Sequence, residues 1–573
     1  MLEELVSLFE KAYEVKGDSL ILDSYKLKTG IYIKINREGK IEEQKIYDKK
    51  DEVYRDDTYR WFCKRDYISN LLDMNKPIDP KKKLHSNNYL TLFFKKDTVI
   101  GDKKIDYSKL EERIIEYYDI LLDPQIKYKK RKKSLELYNS ITEPINEENI
   151  IWCKQYMLEN LPSIISNLEK IDFSNYVRIF FDFPTEDYEI ESKRYLVPNL
   201  FNANEYNKTI NGEIYGLTNN NMGLNVKKPY LEHKTMVNNI PCLIKSSDIL
   251  MHKKFFDWLG TRKSGCLYIK YDSDFITGIE EEIKIGQEGY YFLYLEQGKT
   301  AEVKNFDIIP MFNSNVNIEI YNYLRAKYKI EDEWEEYPYL KKKTRIELEN
   351  YINEIWFDKR LKSNYFQEPK NIKKISQDLK NIIIIVRQAM FNYFKLSDDN
   401  SINNIIHKYG IKIVTLQLRD NSISKAIKAY NLYIALVSQI GGNEDMPGML
   451  NDTMDTLYSK IKESHADCDN DRQYYFLAGQ VVRFILQKTK AKDKNQNHDV
   501  VNTYLECNND KKLKDEIKYT FMKYSHAIVM KDIRFNNALS MVQMYEPENS
   551  KVDTQMFLAG YLAANILYKK ENE

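Results

Sequence analysis

The 573-residue chain carries 87 Lys+Arg against 86 Asp+Glu, with 43% hydrophobic and 30% charged residues, a balance that excludes disordered and collagen-like classes. A net charge of +1 also excludes a surface basic enough to be coated in nucleic acid, so any such binding falls to local patches. This length exceeds what one hydrophobic core serves, and two or three domains are predicted.

The opening residues 1–10 alternate acidic with apolar side chains and lack the basic start and small-residue cleavage site of a secretory signal; they read as an amphipathic helix. Residues 30–36 alternate apolar and polar, turn at 37–39, and run into 40–47, which is a β-hairpin pattern. Strand-like runs follow at 90–94, 176–183, 266–271 and 290–295, so residues 1–315 are expected to be a mixed α+β region with β-hairpins and helices. Beyond about Asn315 apolar residues recur at three- and four-residue spacing, at 346–357, 372–393, 402–407, 423–440, 473–487, 513–526 and 535–545. That pattern predicts a helical connecting region over 316–440 and an all-α bundle over 441–573, giving an α+β chain with an all-α C-terminal end.

Two helices of that bundle share the run Phe-Leu-Ala-Gly, at 476–479 and 557–560. Glycine beside alanine inside a helix costs about 1 kcal/mol of propensity, so the repeat predicts a tight helix crossing. The longest apolar run, 382–386, is far short of the roughly 20 residues that span a bilayer, and no membrane segment is expected.

Cys63, Cys153, Cys242, Cys266, Cys468 and Cys507 are scattered without a C-x-x-C pair, which fits a reducing cytoplasm better than a disulfide framework or zinc site. His465 and Cys468 supply at most half a tetrahedral site. No glycine-rich phosphate loop is present, and His498-Asp499 stands without the further ligands a metal phosphohydrolase needs. The carboxylate runs 279–283 and 331–336 read as solvated faces. A non-enzyme with no cofactor, metal or catalytic residue is expected.

Residues that suit a polyanion do occur. Lys76, then Lys81, Lys82 and Lys83, lead straight into His85, Ser86, Asn87, Asn88 and Tyr89. Lysines neutralise phosphates, while amides and hydroxyls can bond phosphate, sugar or base edges. Asn221, Asn225, Lys227 and Lys228 lie in a second loop where glycines allow close backbone approach, though such loops are also ordinary turns. The run 127–133 includes Lys127, Lys129, Lys130 and Arg131 around one tyrosine, a pattern shared by nucleic-acid contacts and solvated linkers. Arg483, Lys488, Lys490, Lys523 and Arg534 are candidates to line a groove for single-stranded DNA.

Taken in order, Asn75-Lys76, Lys83 to Tyr89, Asn221 to Pro229, Phe476 to Gln480, Lys523 to His526, Arg534 to Asn536 and Phe557 to Tyr561 resemble the large subunit of the type I-B CRISPR surveillance complex, Cascade, over nearly the whole chain. The resemblance implies a cytoplasmic, non-catalytic antiviral subunit. It would sit at the 5′ end of the guide RNA (crRNA) beside the handle-binding and backbone subunits. There it would check the protospacer-adjacent motif on double-stranded target DNA, support R-loop formation, hold the displaced strand and recruit the helicase-nuclease. It also implies a small subunit made from the same gene; the Gly441-Gly442 codons would permit a start near Met446, with Met449 and Met454 as further starts. The other readings are the large subunit of a different type I subtype, a metal-dependent nuclease with an unrecognised site, and a scaffold that reads no DNA.

Overall fold

The computed structural model describes the chain apart from residues 1, 51–54, 71–77, 102–103, 129–130, 142, 202–203, 217–242, 272–273, 276–278, 281–288, 299–300, 331–332, 421, 442–444, 464, 489–499, 530–531, 550 and 569–573. The protein is α+β. It forms two compact units, residues 1–282 with 291–308, and residues 309–573 with 283–290.

In the first unit the expected hairpin is β1 (Gly30–Ile35) paired antiparallel with β2 (Ile41–Tyr47). With β3 (Thr91–Lys95) and β4 (Tyr176–Phe181) it makes a sheet ordered β2-β1-β4-β3, in which β1 and β4 run parallel and the outer pairs antiparallel. The Tyr-Val-Arg-Ile-Phe-Phe run of β4 is interior and almost wholly buried. Ile-Glu-Glu-Gln-Lys-Ile of β2 is a charged edge that discourages further strand pairing. Helices Asp57–Ser69, Tyr107–Leu122, Glu147–Leu168 and Thr185–Leu200 supply the remaining core, where Phe62, Tyr117 and Met157 join Tyr32, Phe93 and Phe180 of the sheet. Arg178 of β4 is buried there against the fully buried Asp66, which also accepts from the Tyr25 hydroxyl at 2.7 Å.

Two smaller sheets follow. β5 (Lys208–Ile210), β6 (Glu213–Gly216) and β7 (Ile244–Lys245) form one. β8 (Gly265–Lys270), β9 (Ile279–Glu280), β10 (Tyr290–Gln297) and β11 (Ala301–Ile309), ordered β11-β10-β8-β9, form the other. The second of these shares a core with the amphipathic helix Leu2–Lys16 and helix Ile249–Leu259 through Phe9, Phe255, Trp258, Leu267 and Leu293.

The second unit corrects the expectation of helix from residue 316. β12 (Asn315–Ile320) pairs antiparallel with β15 (Leu340–Thr344), and β13 (Lys327–Ile330) with β14 (Glu333–Glu336). Val316, Ile318 and Ile320 do alternate, but β13, β14 and β15 are four or five residues long and rich in Lys and Glu, too short and polar to register as periodic. Helices begin at Arg345 and include Gln377–Lys395, Asn403–Asp420, Ile423–Gln439, Met446–Lys460, Asp471–Gln487, Asp510–Tyr524, Ile533–Met544 and Thr554–Leu562. Their starts are set locally: Asp445, Asn470, Asn509, Asp532 and Asp553 each accept from a backbone N–H three residues on, at 2.9–3.1 Å.

Helix Asp471–Gln487 is buried nearly all round and is crossed by Thr554–Leu562. The crossing sits on the repeated glycines. A Cβ on Gly560 would fall on the Phe476 carbonyl oxygen and 2.7 Å from its carbon; one on Gly479 would fall on Phe557 O and 2.7 Å from Tyr561 N. Gln480 ties the pair by donating to Gly560 O and accepting from Ile566 N at 2.8 Å.

Candidate nucleic-acid interface

The basic run after Asp79 is shaped by that residue. Asp79 is 1% exposed, and its carboxylate accepts from the backbone N–H of Lys81 (2.8 Å), Lys83 (2.6 Å) and Leu84 (3.1 Å). An aspartate that bonds backbone two and more residues ahead winds the chain into a tight turn, and Lys82 takes the left-handed conformation (φ 58°) that this requires. Lys81 and Lys82 are consequently exposed and Lys83 half-buried. Leu84 and Ser86 then bridge to Phe94 and Asn70, which fixes the turn to the end of β3 and to the helix Asp57–Ser69. Three ammonium groups on a rigid turn are suited to phosphates, which they position without choosing a base.

Asn87 and Asn88 correct the expectation that they reach DNA, because both are 0% exposed. The Asn88 amide donates to Ser69 Oγ and Ser192 Oγ, both at 2.9 Å, and its oxygen accepts from Leu90 N and Thr91 Oγ1 at 3.1 Å. Ser192 donates to Asn87 Oδ1 at 3.1 Å, and Tyr117 donates to Asn88 O at 2.5 Å. A buried amide left unpaired costs about 1–3 kcal/mol, so these groups are committed to holding the loop against helix Thr185–Leu200. Both amides are thus occupied by partners within the first unit.

His85 and Lys127 are also poorer cations than their residue types suggest. Burial, helped by Lys95, holds the His85 imidazole below its ordinary range despite the opposing charge of Asp79, so it is neutral at pH 7. Burial, with Arg131 beside it, pushes the Lys127 amine down to about 7, again with Asp79 opposing. The Asp79 charge opposes the shift at both, and Arg131, whose charge lowers Lys127, is exposed. Residue types alone pass over Asp79; the signal that could have found it is an aspartate before Pro-Lys-Lys-Lys. Lys76, Lys129, Lys130, Asn221, Asn225, Lys227, Lys228 and Lys490 lie outside the described residues.

No family model, curated protein or solved structure matches this chain. Among the described residues no group of three or more His, Cys, Asp or Glu is placed to hold a metal ion, and none of the helices there is long and apolar enough to cross a membrane.

The helical candidates divide. Arg483 lines a cleft in the second unit, with its Nη1 donating to Tyr561 O (2.9 Å) and Ala563 O (2.6 Å). Lys488 stands 5.2 Å over the ring of Tyr568 and Arg534 5.7 Å over that of Tyr458, two aromatic residues of the same cleft. Lys523 is exposed near the end of helix Asp510–Tyr524, over Tyr524 at 5.4 Å, and lies outside the group of residues lining that cleft. Trp334, Tyr458 and Tyr568 give no sign of their place in the sequence, because single aromatics in charged segments carry no periodic signal.

Proposed function

We propose that this chain is the non-catalytic large subunit of a type I-B Cascade, recognising the protospacer-adjacent motif on duplex DNA beside the 5′ end of the guide RNA. The observation that carries the reading is the lysine turn wound on Asp79, within the ordered motifs that resemble this family. Guide pairing supplies sequence recognition in such a complex, so its protein needs firm phosphate contacts and only a short base-reading element. A nearly neutral chain with a local basic turn is suited to that division of labour. The partners in this reading are guide RNA, target duplex, displaced strand, the backbone and handle-binding subunits, a small subunit beginning near Met446, and the helicase-nuclease.

The test uses the assembled complex with Lys81, Lys82 and Lys83 changed together to Ala. For every phosphate that these lysines no longer neutralise, the slope of log affinity against log salt should fall in magnitude by about 0.9, with matched-target binding weakened at physiological salt. Asn88→Ala should behave differently, lowering the stability of the first unit by about 1–3 kcal/mol and leaving that slope unchanged. Wild-type affinity and slope from a fully assembled triple-lysine variant would reject the proposal.

A further inference from the structure

Every backbone N–H of the lysine turn is already taken. Pro80 has none; those of Lys81, Lys83 and Leu84 donate to the Asp79 carboxylate at 2.6–3.1 Å, that of Lys82 donates to the Asp79 carbonyl at 3.1 Å, and that of His85 donates to Phe93 O at 2.9 Å. Successive N–H groups curled inward on an anion make the backbone nest by which many proteins hold phosphate. Here the anion is the protein's own. Asp79 is 1% exposed, so the nest is closed from within and a phosphate meets side chains only. Lys81 and Lys82 are exposed and Lys83 half-buried, and none of the three ammonium groups is held in an ion pair among the described residues. Holding Lys82 at φ 58° is costly for a residue with a Cβ and persists only where surrounding contacts impose it. The bonds made by its own N–H and by those on either side all end on Asp79.

We infer that Asp79 is a positioning residue for phosphate binding: it does not touch the ligand, it fills the nest that a phosphate would otherwise enter, and it presents Lys81, Lys82 and Lys83 on a fixed backbone, so that phosphates are held by side-chain charge alone. This rests on the reading of the turn as a phosphate contact and adds what sets its geometry. The charge of Asp79 works against binding, because a carboxylate several ångström from a phosphate in water weakens the contact by about two- to threefold. Its geometric effect works the other way. A turn that is not held must be ordered at each encounter, and fixing the backbone of even one residue lowers affinity on the order of tenfold. Ordering wins, so an acid strengthens an anion site.

The experiment uses the full-length chain and a short fluorescein-labelled DNA duplex of arbitrary sequence, with affinity read by anisotropy across a salt series. Asp79→Asn keeps one acceptor oxygen and Asp79→Ala none, so binding should weaken in the order Asp, Asn, Ala, by roughly tenfold for Ala. Lines of log affinity against log salt should run nearly parallel to that of the parent, because no lysine is lost. A role through charge alone predicts the reverse, both neutral variants binding more tightly than the parent. Lys82 gives a second measurement that leaves the buried acid in place. Lys82→Gly and Lys82→Ala lose the same charge, but only glycine takes φ 58° freely, so the Gly variant should bind more tightly than the Ala variant. The variant with Lys81, Lys82 and Lys83 all changed to Ala separates the two levels. If it loses binding while the Asp79 variants bind at least as tightly as the parent, or while Lys82→Gly binds no better than Lys82→Ala, the positioning role is overturned and the phosphate reading stands. If it binds as the parent does, both fall.

Discussion

Replacing Gly560 by Ala provides a decisive test of the helix crossing, because local and tertiary effects have opposite signs. In a free helix the change should stabilise by about 0.5–1 kcal/mol, since alanine loses less backbone entropy than glycine. At the crossing the new methyl falls on the Phe476 carbonyl, and these are backbone atoms that no rotamer change can move. Clearing the carbonyl oxygen and reaching the ~3.5 Å at which carbon atoms pack requires the two helices to part by at least about 1 Å. A gap of that size forfeits a quarter to a half of the dispersion attraction between side chains such as Leu477, Val481, Phe557 and Tyr561, all buried at this interface or beside it. It also stretches the ties from Gln480 to Gly560 and from Arg483 to Tyr561 and Ala563. Overpacking of this kind costs about 1–3 kcal/mol, and the rigidity of the obstructing atoms places the net destabilisation near 2 kcal/mol. Thermal unfolding of the second unit should shift down by roughly 4–8 °C for a unit of this size. Gly479→Ala should act in the same direction, and the double variant should fall short of the sum because both act on one interface. An unchanged or raised midpoint for Gly560→Ala would refute the reasoning.

Lys127 gives a pH prediction. Its amine titrates near 7 in the folded chain against an ordinary value of 10.5, so between those limits the unfolded chain binds more protons. Stability of the first unit should therefore rise with pH from about 7 upward through that window, and Lys127→Met should flatten the rise in urea titrations at several pH values. The proposed small subunit gives another: intact-mass analysis of purified complex should find a C-terminal fragment beginning between residues 446 and 454, and Met446→Leu should remove or shorten it. Such a fragment lacks helix Ile423–Gln439, whose Tyr430 hydroxyl donates to Gln555 O at 2.9 Å, so it would leave that face of helix Thr554–Leu562 for a partner to cover.

What the sequence determined by itself was whatever depends on near neighbours. The β1–β2 hairpin, the helical periods beyond Arg345 and the glycine pairs that mark a close crossing are all local patterns, and each is present in the fold. Tertiary structure decided the rest, because burial depends on residues remote along the chain. Asn87 and Asn88 have the composition of a nucleic-acid reader, yet Ser69 and Ser192, on helices that precede and follow, consume their hydrogen bonds. His85 and Lys127 have the composition of cations until burial and the charges around Asp79 set their protonation. The Arg483 cleft draws on residues from 325 to 568, and the acidic run that reads as a solvated face contributes an exposed tryptophan to it. A residue's type fixes what chemistry it can offer; only the packing around it fixes whether that chemistry faces a ligand or another part of the same chain.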